Sequence, residues 1–281
     1  MPQDNRKLIL HNVSSLYSDP SSRSELVSQA IYGDVVAEHE VSGEFSRVVM
    51  QDGYEGWLRS QHIGNLPGGI SRQAGDTAVI CIPFADLLSE PEPDATLVSR
   101  LTIGSHVVVL STVGVFAQTP FGYIPMPCLA GAPTPTDRQP MELLRTAQSL
   151  IGTPYLWGGT SAFGIDCSGF VQRIFGMYGV PLPRDAYQQA KCFAGQHISV
   201  GETLFPGDII FFQGREDPRG RGITHTGIVM DESEGTFIHA YGKLGVCISR
   251  LQDPEIQKEY RSAGCLRVIW KQISGKQQWI C

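Results

Sequence analysis

Asp166-Cys167-Ser168-Gly169-Phe170 sets a thiol at the start of an apolar run with helical spacing. The first turn of a helix leaves backbone N–H groups without intrahelical partners, and together with the helix dipole these favour an ionised sulfur. Gly158-Gly159, just upstream, lets the backbone approach a ligand closely. A thiolate attacks carbonyl carbon, but it needs a base that removes its proton and later returns it. Two histidines in strand-like surroundings, His225 and His239, are the candidates. The three residue types point to nucleophilic acyl transfer: Cys167 attacks, His225 serves as base, and His239 holds the His225 ring in its working tautomer.

Whether the histidines meet depends on register. His225 lies in a strand expected at 224–230 and His239 in one at 236–241, with Asp231–Gly235 as the turn between them. With Gly227 opposite His239, both histidines share a face, and a slip of one residue separates them. Two blander readings stand beside this one. Strand histidines are usually satisfied core residues and a helix-start cysteine is often inert; alternatively Cys167, His225 and His239 bind a metal, although no carboxylate or second cysteine accompanies them. The other cysteines, Cys81, Cys128, Cys192, Cys247, Cys265 and Cys281, form no CxxC pair. Neither a zinc site nor a disulfide framework is expected, and most of them read as small buried hydrophobes.

The elements that must position these groups change character along the chain. Residues 1 to about 135 read as short strands with turn residues between them, among them Lys7–Asn12, Val35–Val41, Ser46–Gln51 and Val107–Leu110, with Asp52-Gly53 as a turn. A weak repeat runs through this stretch. Leu16-Tyr17-Ser18-Asp19-Pro20 returns as Leu87-Leu88-Ser89-Glu90-Pro91, and Gly56-Trp57-Leu58 as Gly122-Tyr123-Ile124. An offset of about 70 residues is too long for a solenoid and indicates two copies of one small β domain, similar to tandem bacterial SH3-like barrels. Ala130–Gln139, rich in proline, reads as a linker. Beyond it, Leu143, Leu144, Ala147, Leu150 and Ile151 mark a helix capped by Thr136 or Asp137 and stopped by Gly152. A second helix after Asp166 carries Phe170, Val171, Ile174, Phe175 and Tyr178 and ends at Gly179, and a short one begins near Asp185. Strands at 208–212, 224–230, 236–241, 245–251 and 265–270 complete an α+β domain.

Bulk properties bound the function. The 281 residues carry a formal net charge of -6, with 42% hydrophobic and 18% charged residues. That composition builds a large core, and the charge excludes a nucleic-acid backbone as main partner. No apolar run approaches membrane-spanning length. The N-terminus begins polar, so no membrane partner and a cytoplasmic location are expected.

The run Leu150 to Gly159, then Asp166 to Val171, Leu182-Pro183-Arg184-Asp185 with Gln188, Pro206 to Phe212, His225-Thr226-Gly227-Ile228-Val229 and Phe237-Ile238-His239-Ala240 resembles the NlpC-type family of papain-like cell-wall peptidases. The ordered blocks cover roughly 142 to 270. The resemblance implies two all-β SH3-like barrels, at 1–68 and 69–133, followed by an α+β papain-like cysteine peptidase domain at 134–281. It also implies Cys167 as nucleophile, His225 as general base and acid, and His239 as the orienting residue. Tyr155 would face the cleft and help stabilise an oxyanion, with Trp157, Asp166, Ser168 and Asp185 lining the substrate site. Ala186 stands where the family often has Ser or Thr, which removes one substrate hydrogen bond.

The arrangement looks like the γ-D-glutamyl-L-diamino acid endopeptidases, which take L-Ala-γ-D-Glu-diamino acid peptides with a free amine and need no cofactor. The resemblance implies that Asp34 and Tyr54 lie near that amine. The second repeat has Ser105 and Pro120 at these places, so neither residue is required by the barrel itself. Two competing readings remain: a secreted wall hydrolase that acts on polymeric peptidoglycan, and a non-catalytic wall-binding protein.

Overall fold

The computed structural model describes residues 5–66, 77–131, 140–192, 195–198, 203–215, 218–231 and 233–268. Two compact units divide the chain: Met1–Pro133 with Thr160–Ala162, and Thr134–Gly159 with Phe163–Cys281. The linker residues 132–139, including the expected caps Thr136 and Asp137, lie outside the described residues, as does the 67–76 stretch.

In the first unit β1 (Arg6–Ile9), β2 (Val13–Tyr17), β3 (Leu26–Ile31), β4 (Val35–Ser42), β5 (Phe45–Met50), β6 (Glu55–Arg59) and β7 (Ile63–Gly64) form one sheet in the order β3-β2-β6-β5-β4-β1-β7. Ile9, Leu16, Ala30, Val36, Val48 and Leu58 fill its core. The expected strand Lys7–Asn12 stops at Ile9, because Asn12 turns its side-chain oxygen to the N–H of Val13 (2.8 Å), which starts the next strand. The expected turn at Asp52-Gly53 is present: Gly53 has φ 80° and Asp52 Oδ1 accepts from the Tyr54 N–H at 3.0 Å.

A second set follows: β8 (Thr77–Ile80), β9 (Phe84–Leu88), β10 (Leu97–Thr102), β11 (His106–Val108), β12 (Ser111–Val113), β13 (Phe116–Thr119), β14 (Gly122–Pro125) and β15 (Leu129–Gly131). It reproduces the first in detail. Ile80, Leu87, Leu101, Val107 and Ile124 occupy its core as Ile9, Leu16, Ala30, Val36 and Leu58 do in the first. The bonds from Ile9 N to Asp34 O and from Gly33 N to Ile9 O return as Ile80 N to Ser105 O and Gly104 N to Ile80 O. The long β4 is broken, however. The expected strand Val107–Leu110 ends at Val108, with β11 pairing β8 in one sheet and β12 pairing β13 in another. Both sets fall in one compact unit while keeping separate sheets. The strand β16 (Thr160–Ser161) belongs to this unit, where the Thr160 N–H donates to Gln29 Oε1 (3.0 Å).

The second unit holds α1 (Pro140–Gln148), β17 (Gly164–Ile165), α2 (Cys167–Gly176), α3 (Ala186–Gln189), β18 (Gly195–Ile198), β19 (Ile209–Gly214), β20 (His225–Asp231), β21 (Thr236–Tyr241), β22 (Gly245–Arg250), α4 (Pro254–Glu259) and β23 (Tyr260–Val268). Its six-stranded sheet runs β18-β23-β19-β20-β21-β22, and every pairing is antiparallel. Phe170, Val171, Ile174 and Phe175 are wholly buried along α2, which packs on β20 and β21. The helix closes at Gly176, before the expected stop at Gly179. A final turn follows, in which Val180 N–H donates to Phe175 O and Gly179 adopts φ 74°. The last strand begins at Tyr260 rather than 265, because α4 ends there and the chain passes straight into pairing with β19.

Candidate active site

The first turn of α2 is built around Asp166. As N-cap it accepts the Gly169 N–H at Oδ1 (2.7 Å), which satisfies one of the orphan donors at the helix start. Its other oxygen takes the Gly158 N–H (2.9 Å), which ties the glycine loop to the helix. Arg184, only 2% exposed, grips both oxygens, at 3.0 and 2.5 Å, and also donates to Ser168 Oγ (3.0 Å). Gly169 is required here: a Cβ on it would lie 2.2 Å from the Gly159 carbonyl oxygen. Asp166 and Ser168, both expected to line the substrate site, are thus buried and engaged in holding the helix start.

Cys167, the first residue of α2, is 7% exposed. Backbone N–H groups of Thr226 and Ser168 point at its sulfur. Thr226 follows His225 directly, so the start of β20 is brought against the thiol. Burial, reinforced by the Asp166 carboxylate, still pushes the Cys167 thiol up to about 12, against the opposing pull of those N–H groups and Arg184. The resting thiolate expected from the helix dipole is therefore outweighed by desolvation, and the sulfur rests protonated.

The β20–β21 ladder pairs Ile228 with Ile238 and Val229 with Phe237, which continues to Gly227 opposite His239. A Cβ on Gly227 would come within 3.1 Å of the His239 Cβ and 3.0 Å of the Ile238 carbonyl oxygen, so glycine lets the strands close here without displacement. The register that puts both histidines on one face is the one formed. His225 Nε2 lies 2.7 Å from His239 Nδ1, and the ring centroids are 4.9 Å apart at 77°. Both rings are buried. Burial lowers His225 well below the usual imidazole value, with His239 adding to the effect, and lowers His239 to about 4. Both imidazoles are neutral at neutral pH. With Nε2 of His225 occupied by His239, Nδ1 is the nitrogen left to exchange a proton with a thiol.

Tyr155 bridges to Ile165 beside the α2 start, and burial, first of all, with the Asp166 carboxylate adding to it, raises its hydroxyl above the ordinary tyrosine value. Trp157 is 52% exposed, with the Arg219 guanidinium 5.3 Å over its ring. Asp185 precedes α3, where its N–H donates to Gln188 Oε1 (3.1 Å) and its carboxylate meets Arg221 (3.2 Å). Burial raises the Asp185 carboxyl, while Arg184 and Arg221 oppose the shift. Asp34 and Tyr54 belong to the other unit. Asp34 takes up a turn role there, accepting the Ile31 N–H at 2.9 Å.

One residue beside the histidines escaped the sequence reading. Tyr260 stacks on His225 with centroids 4.7 Å apart and planes within 16°, and Phe212 lies 5.7 Å from the same ring. Nothing in the local pattern Lys258-Glu259-Tyr260 signals this contact. It arises from the long-range pairing of β23 with β19 and the bulge at Phe211/Phe212.

A thiol at a helix start, packed against an antiparallel sheet that carries a buried histidine pair, is the arrangement of a papain-like cysteine peptidase domain. Residues 152–265 match the NlpC/P60 family and residues 16–63 the bacterial dipeptidyl-peptidase Sh3 domain. The chain belongs to the NlpC/P60 family of cell-wall peptidases, with an SH3-like domain at its N-terminal end. It is 26% identical over 86% of its length, and 76% of the relative's, to a γ-D-glutamyl-L-lysine dipeptidyl-peptidase of Bacillus cereus. It is 38% identical to the probable endopeptidase NlpC of Escherichia coli over 41% of this chain and 71% of that protein. The crystal structure of an NlpC/P60 family protein from Bacillus cereus shares the fold with a TM-score of 0.79 and 21% identity, covering 94% of this chain and 99% of that one.

Proposed function

We propose that this protein is a cysteine endopeptidase that hydrolyses the γ-D-Glu to diamino acid bond of small cell-wall peptides with a free N-terminal L-Ala, serving murein-peptide recycling in the cytoplasm. The observation that carries this reading is the 2.7 Å contact between His225 and His239, with the backbone of the next residue, Thr226, reaching the Cys167 sulfur. Support for the bond class comes from the relative named for γ-D-glutamyl-L-lysine cleavage.

The chemistry begins from a neutral pair. Cys167 Sγ attacks the γ-carbonyl carbon as its proton passes to His225 Nδ1, and the Ser168 and Thr226 N–H groups offset charge building on sulfur. The carbonyl oxygen becomes an oxyanion, stabilised by the Cys167 N–H and the Tyr155 hydroxyl. Collapse breaks the C–N bond, and the diamino acid leaves with the proton held by His225. Water, deprotonated by His225, then attacks the thioester, which returns the thiol and frees the γ-carboxylate of the L-Ala-γ-D-Glu product. His239 accepts the His225 Nε2–H throughout and fixes the ring's orientation. Trp157 and Asp185 line the substrate side, while Asp166 and Ser168 hold the helix start behind it. Asp34 and Tyr54 take the substrate ammonium, in keeping with an N-terminal module matching a dipeptidyl-peptidase domain. The second β module is read as another SH3-like copy, supported by its repeated core and hydrogen bonds.

Rates on L-Ala-γ-D-Glu-diamino acid peptides with free and N-acetylated termini test the assignment. Acetylation is expected to lower kcat/KM at least about tenfold, the scale of one lost charge-assisted contact. Equal rates would remove the roles of Asp34 and Tyr54 and favour a lytic hydrolase acting on polymeric peptidoglycan.

A further inference from the structure

His239 has two ring nitrogens, and the second is also engaged. Its Nε2 lies 3.0 Å from Ser249 Oγ and 3.6 Å from Cys247 Sγ, both on the neighbouring strand β22. The register accounts for this: Cys247 stands directly opposite His239, and Ser249, opposite Phe237, lies diagonally on the same face. A single polar file therefore runs from His225 through His239 to Ser249 and Cys247.

We propose that Ser249 is a positioning residue that sets the tautomers of both histidines through its contact with His239 Nε2. This inference rests on the peptidase reading above. A neutral imidazole carries one proton, on one nitrogen or the other. To receive a proton from Cys167, His225 must have a bare Nδ1 and so carry its hydrogen on Nε2. That hydrogen is donated to His239 Nδ1, which must then be bare, so His239 holds its own proton on Nε2. A proton on Nε2 in a buried site needs an acceptor. Ser249 Oγ is the stronger acceptor within reach, since sulfur accepts weakly and lies farther away. Without the hydroxyl, the opposite arrangement competes: His239 protonated on Nδ1 donates to His225 Nε2, and the His225 proton moves to Nδ1. The nitrogen meant to act as base is then capped. Cys247 is the lesser member of the file, because its contact at 3.6 Å is the longer one.

The test combines kinetics with nitrogen-15 NMR of the histidine rings in the full chain. Ser249→Ala is expected to lower kcat about tenfold with KM changed less than about twofold, because a wrong tautomer removes base function without altering substrate contacts. Ser249→Thr, which keeps the hydroxyl, is expected to restore kcat to within about threefold. Long-range proton–nitrogen correlation should show His225 protonated at Nε2 in the parent chain and a population protonated at Nδ1 in Ser249→Ala. Ser249→Gly, equally lacking an acceptor, serves if the alanine variant does not fold. Parent tautomers and parent kcat in a folded variant without the hydroxyl would overturn the proposal, as would a loss that threonine fails to restore. The NMR signature needs no substrate, so it stands or falls separately from the assignment of the peptide bond cleaved.

Discussion

Arg184 and Asp166 form a two-pronged ion pair with almost no contact with solvent, with side chains 2% and 9% exposed. The same carboxylate holds the Gly158 and Gly169 N–H groups, so the charge pair fixes the ground on which Cys167 stands. Replacing one partner strands a buried charge, which typically costs 3–5 kcal/mol. Arg184→Ala is therefore expected to lower unfolding free energy by about 3–5 kcal/mol in urea titrations. The double change Asp166→Asn with Arg184→Met should recover part of that loss. A cost below about 1 kcal/mol would show that solvent reaches the pair after all.

The parallel stack of Tyr260 on His225 fixes the plane of the base from one side, with Phe212 on another. A base misplaced by a fraction of an ångström loses rate steeply. Tyr260→Ala is expected to reduce kcat between about tenfold and a hundredfold, while Tyr260→Phe, which keeps the ring, stays within about threefold. A comparable loss in both variants would assign the role to the hydroxyl instead. Steady-state kinetics on one peptide substrate distinguishes these outcomes.

Acid should weaken the fold through the histidine pair. His239 is depressed to about 4 and His225 is depressed as well, both first of all by burial. An unfolded imidazole titrates near 6.5, so below that pH the unfolded chain binds protons that the folded chain refuses. Stability is therefore full above about pH 6.5 and falls as pH drops toward 4, His239 accounting for about 3 kcal/mol over that window. Urea unfolding at pH 7.5 and 5 should show a smaller difference in His239→Gln than in the parent. Identical pH dependence in the two chains would mean that the ring is not held neutral.

Much of this site was legible from the chain alone, for specific reasons. A cysteine ahead of Gly169 and an apolar stripe announces a helix start through spacing that is local in sequence, whereas the N-cap role of Asp166 came from the structure. The histidine pairing was readable as a condition, because a glycine opposite His239 permits one register and the period of two does the rest. Contacts made by distant strands were not. Tyr260 reaches His225 through β23, nearly the end of the described chain, and Ser249 reaches His239 diagonally across β21 and β22. Arg184 was visible only as part of a motif, since an arginine's partner is decided by burial rather than spacing. Burial likewise reversed the expected charge of Cys167: a helix dipole can be read from sequence, whereas desolvation needs the packed neighbours.

In the proposed reaction the sulfur at position 167 forms the bond to the substrate carbonyl. Cys167→Ala changes one atom in a closely packed place and leaves the Asp166 network intact. Turnover of L-Ala-γ-D-Glu-diamino acid peptide by this variant, measured beside its thermal unfolding midpoint, is the most direct test. A fall of at least about 10⁴-fold is expected, in line with loss of a catalytic nucleophile, together with an unfolding midpoint close to that of the parent. Turnover near the parent rate in the folded variant would contradict that reaction.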